Sequence, residues 1–162
     1  MLRFIILIAA ISFSACSVTK STQSMHPFDG GSVGCGNFIV YKLSGDNQEY
    51  VSVVLDVTSI ELQKMQAYSV DKAEVVKVKR KKYDGPINAS LCNDVMMQKP
   101  NELLEEVAID GIVEVYVDLL EKEKAEKKEP YKVTIVLKKI VFETMTIDYL
   151  RLENINVGWL PG

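Results

Sequence analysis

From Tyr50 to Thr58 the chain alternates: Val51, Val53, Leu55 and Val57 share one face, and Ser52, Asp56 and Thr58 share the other. Period two with β-branched residues predicts a half-buried strand. The apolar run Phe38 to Leu43 predicts another, closed by the turn residues Ser44-Gly45-Asp46-Asn47. Ala73 to Lys79 reads as a third strand that runs into a basic cluster, after which Asp84-Gly85-Pro86 marks a turn. Two long strands are expected over Ile109 to Leu120 and Tyr131 to Glu143. Ile60 to Ala67 carries no clear period and reads as a helical turn or a loop. The tail from Thr146 predicts one or two further strands, with Ile147, Tyr149, Leu150, Leu152, Ile155, Val157 and Trp159 as packing residues.

One segment breaks the period. Pro100 is followed by Asn101, Glu102, Leu103, Leu104, Glu105 and Glu106. Acids behind a proline suit the positive end of a helix dipole, so a short helix is expected there. Six or seven strands with one minor helix predict a mainly β chain, an antiparallel β-sandwich with one short helix. An α+β sheet with a packed helix is the alternative.

The two long strands are expected to form a hairpin. Between them lies Glu121 to Glu129, reading EKEKAEKKE, whose charge fits a solvated tip or a short helical extension. A register in which facing numbers sum to 252 sets Val117 against Ile135, Val115 against Leu137 and Leu119 against Val133 on the core face. It also sets Glu114 against Lys138 and Ile112 against Ile140 on the other face. A slip by one residue would carry Lys138 to the buried side.

The N-terminus differs from the rest. Arg3 is followed by an apolar run from Phe4 to Ile11, then by Ser12, Ser14, Ala15 and Cys16. A basic start, a short apolar stretch and a small-residue end form an export signal. The run is shorter than the roughly 20 residues that cross a bilayer. Phe13-Ser14-Ala15-Cys16 resembles the bacterial lipobox, with Phe13 where Leu is usual. That resemblance implies lipidation of Cys16 and cleavage before it. Ser17, rather than Asp, follows the cysteine and fits outer-membrane more than inner-membrane placement. The expected organisation is a signal over 1–15, a Ser-, Thr- and Gly-rich tether over 16–34, and a β-sandwich domain over 35–162. Acyl chains would anchor it to the membrane, each buried CH₂ contributing about 0.8 kcal/mol.

Charge and cysteine usage narrow the partners. The chain holds 19 Lys and Arg against 22 Asp and Glu, a net charge of −3, and removing Arg3 with the signal makes it more acidic. Nucleic acid is therefore not an expected partner. The membrane through the lipid, and another envelope protein or a glycan, are. Once Cys16 is acylated, Cys35 and Cys92 remain as a pair in an oxidising compartment, and a disulfide is expected.

Catalytic chemistry has little to build on. His26, the one histidine, falls in the expected tether, which cannot hold a general base rigidly. No catalytic residue, metal ligand set or cofactor motif is assigned. Two sets of acids, Asp46 with Glu49 and Asp110 with Glu114 and Asp118, are candidates for acid–base work or calcium. Lys79, Arg80, Lys81, Lys82 and Tyr83 form a basic, aromatic cluster that could touch phosphate, lipid headgroups or acidic polysaccharide. The expectation is a lipid-anchored, non-catalytic binding or accessory module of the cell envelope. A carboxylate-based envelope hydrolase and an immunity-type inhibitor of a toxin are the alternatives.

Overall fold

The computed structural model describes residues 26–36, 38–72, 74–87, 91–92, 100–119 and 131–157. The expectations for Cys16, the signal, the charged tip over 121–129 and Trp159 lie outside them. Among the described residues, nine strands form two antiparallel sheets packed face to face, as the alternating pattern predicts. The first sheet has the order β1 (Ser32–Cys35), β2 (Ile39–Leu43), β3 (Glu49–Leu55), β5 (Val76–Tyr83), β6 (Glu102–Val107). The second has the order β4 (Gln66–Ser69), β7 (Asp110–Leu119), β8 (Tyr131–Val141), β9 (Thr146–Val157).

The core lies between the sheets. Val51, Val53 and Leu55 of β3 and Val76 and Val78 of β5 pack towards Val113, Val115, Val117, Val133, Ile135 and Leu137 of β7 and β8. Each buried aliphatic side chain contributes about 1.5–3 kcal/mol. Among the described strands the chain crosses between the sheets three times, through the 3-10 turn Val57–Ser59 between β3 and β4, again between β4 and β5, and through the bend after β6, where the Ala108 amide donates to the Val78 carbonyl.

Four expectations are corrected. Residues 102–107 are a strand and not a helix, because Glu102, Glu105 and Glu106 find cations on neighbouring β5, and cross-strand pairing outweighs the dipole preference. The only helical element among the described residues is the 3-10 turn. The fold starts before Cys35: Phe28 is 1% exposed in the core, and Ser32–Cys35 pairs with β2. A lone phenylalanine in a polar segment shows no period, so it reads as linker.

The hairpin β7–β8 forms with the expected core face over Val113–Val117 and Val133–Leu137 but is offset by two, and Ile140, expected on the outer face, lies in the core at 0% exposure because the strand leaves strict alternation at Lys138-Lys139. Val117 faces Val133, Val115 faces Ile135 and Val113 faces Leu137, a sum of 250. A shift of two preserves which side chains are buried, so the hydrophobic pattern cannot distinguish the two registers. Glu114 and Lys138 still meet, at 2.5 Å, as diagonal neighbours. Tyr149, expected to pack, is 48% exposed.

Candidate functional site

The expected basic cluster is spread over both faces of β5. Arg80 follows Val76 and Val78 on the core face and is 8% exposed. Its guanidinium donates through Nε to Glu49 and through Nη1 to Glu106 at 2.6 Å and to Thr144 Oγ1 at 2.7 Å. Glu106 lies directly opposite Arg80 on β6, and also accepts from the Thr144 amide at 2.8 Å and the Thr144 hydroxyl at 2.9 Å. Thr144 sits in the β8–β9 turn, so this network ties the end of one sheet to the other. Burial works to raise the Glu106 pKa, but the Thr144 hydrogen bonds and Arg80 hold it below the ordinary glutamate value.

On the outer face, Lys79 pairs with Glu105 at 2.8 Å, and Lys81 with Glu102 at 2.8 Å and Glu105 at 2.9 Å. Burial opposes the charge on Lys81, yet hydrogen bonds to the two glutamates bring its pKa to about 12. Hydrogen bonds from Lys79 and Lys81 take Glu105 down to about 2. Lys82 is exposed near Asp46. Tyr83 stacks on Tyr50, with ring centres 6.1 Å apart, and Tyr41 meets Tyr50 edge-on at 5.2 Å. Burial raises the phenol pKa of Tyr41 and Tyr50. Leu43, Ile87 and Leu91 complete this second apolar cluster. Cys92 closes it beside β1 through its disulfide to Cys35, with Cα atoms 5.3 Å apart. Lys79, Arg80 and Lys81 thus spend their charge within the fold.

The acidic candidates also separate. Asp46 accepts from Ser44 Oγ at 2.6 Å and the Gln48 amide at 3.0 Å, which shapes the β2–β3 turn, while Glu49 is buried against Arg80. Glu114 pairs with Lys138, and Asp118 accepts from Gln63 Nε2 at 3.1 Å. No cluster of three or more metal-ligating side chains occurs among the described residues. Of these acids, Asp110 lines a hollow.

That hollow, about 480 Å³, lies on the outer face of the second sheet and is lined by Asp110, Gly111, Ile112, Lys138, Lys139, Asp148 and Tyr149. Two irregularities build it. Leu137-Lys138-Lys139-Ile140 and Ile147-Asp148-Tyr149-Leu150 each place two polar-facing positions between buried ones, where a regular strand allows one. Lys138 faces Tyr149 and Ile140 faces Ile147, so the two excursions lie side by side. Lys139 takes the left-handed region at φ 51°, and Gly111, at φ 126°, fills the matching shift on β7. A Cβ at Gly111 would stand 2.7 Å from the Lys139 carbonyl oxygen and from Ile140 Cδ1. The row Ile112, Lys138, Tyr149 crosses three strands, leaving Ile112 46% and Tyr149 48% exposed. Apolar–polar–polar–apolar spacing at residues 137–140 and 147–150 was the signal in the sequence that strict alternation fails there.

Compared with protein families, curated proteins and solved structures, the chain matches none.

Proposed function

We propose that this is a lipid-anchored module of the cell envelope that works by contact rather than catalysis. The observation that carries the reading is the pairing of a lipobox-like Phe13-Ser14-Ala15-Cys16 with a domain whose ionic groups are largely satisfied from within. Arg80, Lys79 and Lys81 hold the sheets in shape, which leaves the hollow around Tyr149 as the contact surface. The acyl chains at Cys16 and the spacer after it hold that surface near other envelope components. Tethering raises local concentration, so modest affinity suffices. The absence of Asp at position 17 supports outer-membrane placement.

Mass spectrometry of the mature N-terminus tests the anchor. The reading expects Cys16 as the first residue with acyl chains attached, and Cys16→Ala to be uncleaved or free of lipid. An unmodified N-terminus at Cys16, or cleavage elsewhere, overturns it.

A further inference from the structure

We infer that the hollow around Tyr149 binds a saccharide, one uncharged pyranose residue of a longer glycan. The inference rests on the reading of this face as the contact surface and gives it a ligand class. Its floor is apolar and its rim polar. Tyr149 and Ile112, each about half exposed, flank the stem of Lys138 and offer a surface on which the CH-rich face of a sugar ring can pack. Around them stand Asp110, Asp148 and Lys139. The Lys139 ammonium, the Asp148 carboxylate and the Tyr149 hydroxyl have no side-chain hydrogen bond or ion pair among the described residues, and Asp110 spends one oxygen, Oδ1, on the Gly111 amide at 2.7 Å.

The signs of these groups select the ligand. Sugar hydroxyls both donate and accept, so they can satisfy the carboxylates and the ammonium together. A bound lysine or arginine side chain would engage the carboxylates and be repelled by Lys139. An anionic group would meet the reverse problem at Asp110 and Asp148. Lys138 does not tip the balance, since Glu114 neutralises it. A volume of about 480 Å³ falls within the roughly 300–1,000 Å³ typical of small-ligand sites. The shape is preformed, because Gly111 and Lys139 fix the backbone under the rim, so little ordering is needed on binding.

The test uses the full chain labelled with ¹⁵N and titrated separately with cellopentaose, maltopentaose and tetra-N-acetylchitotetraose, with trigalacturonate and a lysine-rich peptide as controls. At least one neutral probe is expected to shift the amides of Gly111, Lys139 and Tyr149 in a saturable way. Tyr149→Ala should weaken that binding about tenfold or more, as loss of a stacking anchor does. Lys79→Gln, on the other sheet, should leave it unchanged. Absence of shifts at these amides with all three neutral probes at about 10 mM, weaker than any useful site, overturns the proposal. Stronger binding of either control overturns it as well. The contact reading is scored separately, by complementation of a deletion strain with Tyr149→Ala. Loss of function without saccharide binding leaves the contact reading standing and removes the sugar. Saccharide binding accompanied by cleavage of the probe keeps the site and removes the non-catalytic reading.

Discussion

Arg80→Met removes the cation from between two buried carboxylates and leaves both in place. Glu49 and Glu106 are each 6% exposed. Glu106 keeps the Thr144 amide and hydroxyl, whereas Glu49 loses the one side-chain partner found for it among the described residues. Breaking a buried pair by deleting one partner costs about 3–5 kcal/mol. Against a domain stability of about 5–15 kcal/mol, that is a large fraction. The cost depends on pH. In the native protein the Glu106 pKa is lowered, so its contribution is present above the ordinary glutamate value of about 4.3 and is lost as pH falls through the folded value. Without Arg80, Glu106 loses one of the causes that lower its pKa while burial still acts to raise it, so the variant loses stability above about pH 4.3 and less of it below. The gap between the two proteins should therefore be widest at neutral pH and shrink towards pH 4. Urea unfolding followed by circular dichroism at several pH values measures it. Replacing all three, Glu49→Leu, Arg80→Met and Glu106→Leu, should restore much of the loss, since apolar replacement of a whole buried network is often neutral or better. A cost below about 1 kcal/mol at neutral pH, the level of an exposed pair, would refute this reasoning, as would a cost indifferent to acid.

The neighbouring residue offers a contrast: Lys81→Met, on the solvated face of the same strand, should cost no more than about 1 kcal/mol in the same assay. Gly111→Ala forces a Cβ to within 2.7 Å of backbone at φ 126° and should lower stability by more than about 1 kcal/mol, read by calorimetry. Replacing Cys35 and Cys92 by Ser should cost about 2–5 kcal/mol, with non-reducing peptide mapping of the native protein recovering the pair.

Much of the architecture could be read from alternation alone. Val51, Val53 and Leu55, and Val113, Val115 and Val117, are buried where period two puts them. The disulfide was legible from the count of cysteines, two remaining once Cys16 is set aside for the expected lipid. The failures share a cause: information carried by a partner strand rather than by the segment itself. Residues 102–106 look helical alone and become a strand beside Lys79, Arg80 and Lys81. Ser32, Val33 and Gly34 look like linker and become, with Cys35, an edge strand beside β2. The register of β7 on β8 is fixed by packing and by the shift at Gly111, neither of which the face pattern encodes. Arg80 reads as one more surface cation in a basic run, although its even number aligns it with Val76 and Val78. The hollow was half legible: the doubled polar positions at Lys138-Lys139 and Asp148-Tyr149 were in view, but only pairing of the two strands brings them together.

The proposed contact from a lipid anchor makes the anchor indispensable in the cell. Complementation of a deletion strain with an exported but unlipidated form, carrying an ordinary cleavable signal and Cys16→Ala at native expression, tests it most directly. The expected result is a folded, soluble protein with the Cys35–Cys92 bond intact and no rescue. Rescue equal to the wild type would contradict it.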